Sequence, residues 1–192
     1  MSDVNVTTSD RARLASLLRN KSYQQRPVTL ASGRKSNFYF DGKQTALHPE
    51  GAHLIGKLLW DEIVRADVPV DGVGGLTLGA DPLATAVSLA SWDAGRPVPA
   101  FIVRKEPKGH GTGQWVEGRG NLPEGSRVVI LEDVVTTGGS ALRAVERVRE
   151  EGLQVSLIAA LIDREEGGRE AIEAAGHRLV TLFGKSEFHS GD

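Results

Sequence analysis

A chain of 192 residues, 40% of them hydrophobic, is long enough for one domain with a substantial core and too short for two large ones. With 23 Lys plus Arg against 25 Asp plus Glu, the net charge is −2, which gives no support to a general attraction to nucleic acid or an anionic membrane; any anion site must be local. The absence of cysteine excludes a disulfide scaffold, a thiolate nucleophile and a cysteine zinc site, and fits a reducing compartment.

The first residues, Met1-Ser-Asp-Val-Asn-Val, show no basic region followed by an apolar core, so no secretory signal is expected. Ser9 and Asp10 are candidate caps for a helix running through about Arg19, with Leu14, Leu17 and Leu18 on one face. Residues 27–41 change period: Pro27-Val-Thr-Leu, Ala31-Ser-Gly-Arg and Lys35-Ser-Asn-Phe-Tyr-Phe-Asp suggest a hairpin outside the main sheet. Its aromatic run, Phe38, Tyr39 and Phe40, is compatible with core or with a stacking surface, since alternate strand residues face opposite ways.

From Pro49, the spacing of Leu54, Leu58, Leu59 and Ile63 predicts a helix. Asp71-Gly-Val-Gly-Gly-Leu-Thr-Leu-Gly-Ala-Asp-Pro then reads as a very short strand entering a glycine-rich turn, either an anion nest or a tight connection, before a helix from about Pro82 to Trp92. Ala100 to Val103 is another short strand. The stretch that follows, Arg104-Lys-Glu-Pro-Lys-Gly-His-Gly-Thr-Gly-Gln-Trp, sets basic groups among glycines. By itself it is a solvated flexible loop; beside an anion site it is a cationic loop able to close over a ligand.

The most informative stretch runs from Arg127 to Ser140. Val128 to Leu131 read as a strand buried on both faces, and Leu142, Val145 and Val148 recur at helical spacing beyond Ser140. Between them Thr136, Thr137, Gly138, Gly139 and Ser140 meet the start of a helix, where amides, hydroxyls and the helix dipole converge on an anion: a phosphate cradle. Glu132 and Asp133 stand just before it, where they would repel phosphate and accept hydrogen bonds from sugar hydroxyls. A tight acidic strand-to-helix turn with no ligand is the alternative. Gly56-Lys57, Gly184-Lys185 and the Gly72, Gly74, Gly75 cluster do not complete P-loop or dinucleotide fingerprints.

Gln154 to Ile162, interrupted by Ser156, is a further strand ending at Asp163-Arg164; Arg164 is either a ligand contact or a surface residue paired with Glu165 or Glu166. A helix from Arg169 to Ala175 stops at Gly176, Arg178 to Phe183 form a last strand, and the remainder is polar. The apolar runs Val128–Leu131 and Leu157–Ile162 are far too short to span a bilayer. His48 and His53 lack neighbouring acids for a metal site, and His177 and His189 are expected at the surface. Alternating strands and helices from residue 50 onward predict an α/β fold, a mostly parallel sheet flanked by helices. Residues 1–48 would form a small N-terminal hood and 49–192 the core, together one compact unit. A cytoplasmic protein without membrane or nucleic-acid partners is expected.

The order of apolar strand, Glu132-Asp133, Val134-Val135, Thr136-Thr137-Gly138 and helix resembles the signature by which type I phosphoribosyltransferases bind phosphoribosyl pyrophosphate (PRPP). With Thr29-Leu-Ala-Ser-Gly-Arg-Lys-Ser, the Arg104-Lys-x-x-Lys-x-His-Gly loop and Asp163-Arg164, the likeness extends over residues 28–165 and is to the orotate phosphoribosyltransferases. That resemblance implies transfer from PRPP to orotate, giving orotidine 5′-monophosphate and pyrophosphate in pyrimidine synthesis, with Mg²⁺ carried by PRPP and no protein metal ligand. It implies that Glu132 and Asp133 hold the ribose, that Val134 to Ser140 surround the 5′-phosphate, and that Arg104, Lys105, Lys108 and His110 bind pyrophosphate. Lys105, Lys108, His110 and Asp133 would serve catalysis. Arg164, Thr136 and Tyr39 or Phe40 would contact orotate, and the loop would close over a neighbouring subunit's site in a homodimer.

Two positions depart from the pattern: Ala31 stands where many members carry a lysine and Gly79 where some do, so two cationic contacts are either missing or supplied elsewhere, by Lys35 or Lys43. Two other readings stay open on the residues, a phosphoribosyltransferase for another base and a PRPP-sensing regulator.

Overall fold

The computed structural model describes residues 6–29, 35–107 and 114–188. A six-stranded sheet in the order β5-β4-β3-β6-β7-β8 forms its centre, and a separate two-stranded ribbon, β1 (Tyr23–Thr29) with β2 (Lys35–Phe40), stands apart from it. Strands β3 (Gly72–Leu76), β4 (Ala100–Val103), β6 (Arg127–Val135), β7 (Gln154–Asp163) and β8 (Leu179–Gly184) run parallel; only β5 (Val116–Glu117), a two-residue edge, is antiparallel. The mostly parallel sheet and the separate hairpin agree with the alternating pattern of the sequence. The hairpin register slips between Gln25 and Val28, the interval holding Pro27, which has no amide hydrogen for a ladder bond.

Helices cover both faces, as burial of a parallel sheet demands. On one side Leu14 and Leu18 of α1 (Val6–Lys21), Leu54, Ile55 and Leu59 of α3 (Pro49–Arg65), and Leu83 and Val87 of α4 (Ala80–Asp93) pack on Val129, Leu131 and Leu157. On the other, Ala144, Val145 and Val148 of α5 (Gly139–Glu150) and Ile172 of α6 (Gly168–Ala174) pack on Val128, Ile130 and Ile158. From β3 the chain crosses to β4 through α4; from β6 it crosses the opposite way to β7 through α5. The order therefore reverses between β3 and β6, the switch point where open α/β sheets bind ligands.

Several expectations are corrected. The first helix begins at Val6, so Asp10 lies inside it; its carboxylate, 9% exposed, accepts from Lys57 Nζ at 2.6 Å and joins α1 to α3 rather than capping a helix. The fourth helix starts two residues before Pro82, and the central strand runs to Val135, so Glu132 and Asp133 are strand residues. Ser156 is the extra residue of a bulge, since Val155 and Leu157 pair with the consecutive Val128 and Val129. His177 is buried, not at the surface, and burial followed by the Arg149 charge pushes its pKa down. The tail is not simply polar: Lys185–Phe188 form a 3₁₀ turn that inserts Phe188 between Phe40 and Phe183, at ring separations of 6.0 and 5.8 Å. A short helix, α2 (Lys43–Ala46), adds an element that the sequence pattern does not reveal, its four residues being too few for periodicity to register. His189 lies outside the described residues.

Candidate functional site

Beyond Gly74 and Ile130 the ladder between β3 and β6 ends, while β6 stays paired with β7 as far as Val135 and Asp163. A crevice opens there, at the carboxyl ends of the strands. The alternation of β6 also changes in it: Val129 and Leu131 face the α3–α4 layer and Val128 and Ile130 the α5 layer, yet Val134 returns to the first and Val135 to the second. Glu132 and Asp133 occupy the step.

Glu132 is 7% exposed and lines, with residues from Val134 to Ala141, a cavity of about 80 Å³ at the start of α5. That space suits a phosphate-sized group and not a ring. Gly138 precedes the helix with φ of +79°, a left-handed conformation that costs other residues energy, and a side chain there would meet Gly168 O at 3.0 Å and Ile172 Cγ1 at 3.1 Å. The glycine thus permits the turn and its packing on α6. The first amides of α5 and the Thr136, Thr137 and Ser140 hydroxyls border the cavity, a donor-rich wall at the positive end of a twelve-residue helix. Burial first, and then the neighbouring Asp133 charge, push the Glu132 carboxyl well above the usual range.

Asp133 accepts from the Val134 amide at 2.9 Å and is bracketed by two glycines. A Cβ at Gly42, at the start of α2, would stand 3.3 Å from Asp133 Cβ, and one at Gly79, at the start of α4, would collide with its carboxylate. Gly79 is therefore not merely a position without lysine; any side chain there would occupy the space the Asp133 carboxylate uses. Lys43, next to Gly42, pairs with Asp41 at 2.7 Å, and its pKa is raised by Asp41 and, less, by Asp133. Lys43 thus lies in the electrostatic field of the crevice. The side chain of Lys35 and the turn containing Ala31 lie outside what is described.

Around the crevice, Leu76 pairs with Val103, which places Arg104 at the adjacent strand end. Its guanidinium meets Glu117 at 3.0 Å, Lys105 is exposed, and both border a cavity of about 410 Å³ shared with Thr77 and Asp81. Thr77 Oγ1 donates to Asp81 at 2.7 Å. Lys108 and His110 lie outside the described residues. On the other side, the Arg164 amide donates to Val135 O at 2.9 Å, tying the ends of β6 and β7, and its side chain is buried against Glu166 at 3.1 Å. It is paired, as one expectation had it, but not on the surface. Phe40 is buried in the core on Phe188, whereas Tyr39, its neighbour in β2, is partly exposed. The structure thus gathers Arg104, Lys105, Glu132, Asp133, Thr136 to Ser140 and Arg164 at one end of the sheet. Gly42, α2 and the steric role of Gly79 escaped the sequence reading; Asp41-Gly42 after an aromatic run was the one signal for the first two.

Comparison with known proteins gives concordant matches. The phosphoribosyl transferase domain model matches residues 44–175. The orotate phosphoribosyltransferase of Rhodopseudomonas palustris (strain BisB5) is 49% identical over 183 residues, covering 94% of this chain and 97% of that protein. Among solved structures, Mycobacterium tuberculosis orotate phosphoribosyltransferase in complex with Fe(III) dicitrate superposes with a TM-score of 0.81 at 44% identity, covering 94% of this chain and 99% of the other. The same protein in complex with PRPP gives 0.76 at 42% identity, covering 93% and 98%.

Proposed function

The chain belongs to the orotate phosphoribosyltransferases, within the phosphoribosyl transferase domain family, and from that premise we propose how its residues divide the reaction. It transfers the phosphoribosyl group of PRPP to orotate: a bond forms between ring nitrogen N1 and C1 of the sugar as N1 releases its proton to solvent and the C1–O bond to pyrophosphate breaks, giving orotidine 5′-monophosphate for pyrimidine synthesis. The observation that carries the assignment of roles is the juxtaposition at the β3/β6 switch point of the phosphate-sized cavity, the two carboxylates behind it and Arg164 on the next strand end.

The cradle from Thr136 to Ser140, with Val134 and Val135 in its wall, takes the 5′-phosphate. Glu132 and Asp133 accept from the ribose hydroxyls; burial and then the Asp133 charge raise the Glu132 pKa. As C1–O breaks, negative charge gathers on the diphosphate, where Arg104, Lys105, Lys108 and His110 neutralise it; an imidazole such as that of His110 is also chemically able to supply a proton. Arg164 offers a planar fork to the orotate carboxylate, Thr136 reaches the base, and Tyr39 is better suited than Phe40 to line it, since Phe40 is committed to the core.

Mg²⁺ brought by PRPP would neutralise diphosphate charge. The crevice fits a metal that arrives with its substrate: two glycines leave room for the Asp133 carboxylate, which is assigned to the ribose hydroxyls, and no protein group is assigned to the ion. A homodimer with shared sites and a cytoplasmic location belong to the same reading. Three large apolar side chains left exposed, Leu78, Leu89 and Trp92 at 66%, 63% and 70%, are compatible with a dimer. No described helix is long and apolar enough to cross a membrane.

The test is the ultraviolet change of orotate with PRPP and Mg²⁺, beside uracil and hypoxanthine, for the wild type and Arg164→Ala. Orotate alone should be consumed, and the variant should raise its KM about 100-fold, as truncating one partner of a charged hydrogen-bonded pair does. An unchanged KM would remove Arg164 from the base site.

A further inference from the structure

The turn that joins β3 to α4 borders two parts of the crevice. At its start the Thr77 amide donates to Val103 O at 2.9 Å, one bond past the Leu76–Val103 pair, and Thr77 lines the cavity of about 410 Å³ that Arg104 and Lys105 also line. Two residues on, Gly79 lies so close to β6 that a Cβ there would collide with the Asp133 carboxylate. The turn thus adjoins both the acid assigned to the ribose and the cations assigned to the diphosphate, and its position sets the space between them.

Little inside the turn fixes that position. Leu78 is exposed and Gly79 has no side chain. The closing contact comes from the first turn of α4, where Asp81 Oδ2 accepts from Thr77 Oγ1 at 2.7 Å. Asp81 Oδ1, by contrast, is buried without a hydrogen-bond partner among the described residues. An acid that served only the positive end of α4 would do so equally well while hydrated, whereas leaving a buried carboxylate oxygen unpaired is costly. A carboxylate kept there at such a cost has a geometric task, and its one contact, Thr77, says what it holds.

We propose that Asp81 is a positioning residue for PRPP: its carboxylate clips Thr77, and the clip holds the turn so that Gly79 lies against Asp133 and fixes the carboxylate that meets the ribose. Asp81 acts through the turn and touches no substrate. This rests on the assignment of Asp133 to the ribose hydroxyls.

The experiment measures PRPP binding with Mg²⁺ by calorimetry, and Tm, for Thr77→Val, Asp81→Ala, their combination, Thr77→Ser, Asp81→Asn and Asp133→Asn. Removing either side of the clip should raise the PRPP Kd about 10-fold, the combination should do no more than one of them, and Thr77→Ser and Asp81→Asn, which keep donor and acceptor, should stay within about twofold of wild type. The orotate KM of the clip variants at saturating PRPP should stay within about twofold as well. If Thr77→Val leaves the Kd unchanged while Asp81→Ala and Asp81→Asn both lower Tm, Asp81 serves α4 alone and the proposal is overturned. Losses that add in full, or that Thr77→Ser does not rescue, overturn it too, because the two groups then act separately. Asp133→Asn distinguishes these failures from that of the ribose assignment: if it binds PRPP like wild type, the assignment falls and takes the proposal with it; if it binds weakly while Thr77→Val binds normally, only the clip is wrong.

Discussion

At the scale of the residue, burial works against ionisation at Glu132. A carboxyl 7% exposed beside Asp133 favours its protonated form, because burial and a like charge both penalise ionisation. Its folded pKa lies above the unfolded value near 4.5. Protonation linkage therefore supports the fold fully below that value, and this contribution is lost as pH rises through the folded pKa. Replacing the group by a neutral isostere removes the dependence. Glu132→Gln should equal wild type in Tm below about pH 4.5 and exceed it at pH 8, with each 1 kcal/mol relieved worth about 2–4 °C in a chain of this size. The PRPP KM should rise in the same variant, the usual exchange of activity for stability. Thermal melts from pH 4 to 8 check it; a gap that does not grow with pH would mean Glu132 does not titrate there.

At the scale of the element, the strand–loop–helix from Arg127 to Glu150 works because one residue takes a left-handed conformation. Gly138→Ala should cost about 1–2 kcal/mol for that backbone conformation alone, and its methyl would press on Gly168 O and Ile172 of α6. Relief by re-aiming the loop would turn the amides away from the cavity. The expected result is a Tm lowered by about 2–8 °C and a PRPP KM raised at least about 10-fold, the effect of 1.4 kcal/mol. A lower Tm with PRPP affinity intact would show that the loop geometry is not what holds the phosphate. The same element shows why Gly-Gly was readable in the chain: a turn into a helix demands a residue with permissive φ, and that demand is local.

At the scale of the whole molecule, the test concerns sharing between subunits. Lys108→Ala and Asp133→Asn should each be inactive. If loop and cradle of one site come from different chains, mixing them in equal amounts should recover about a quarter of wild-type activity, from one intact site in half of the dimers. No recovery after verified subunit exchange would leave each site within one chain.

What the sequence determined by itself is whatever depends on near neighbours along the chain. The apolar run Val128–Leu131, the helical spacing of Leu142, Val145 and Val148, and the Glu-Asp-Val-Val-Thr-Thr-Gly-Gly order reveal strand, helix and cradle because period and turn chemistry are local properties. What only tertiary structure decided are the pairings made across strands and layers. Asp10 resembles a cap in sequence yet answers Lys57, 47 positions away; Gly79 is defined by the carboxylate of Asp133; His177 is buried; and Phe188, in a polar-looking tail, closes the aromatic cluster. Arg164, a surface or a site residue on the sequence alone, is buried against Glu166. Burial, steric exclusion and ion pairing are properties of the assembled space, and no window along the chain contains both partners.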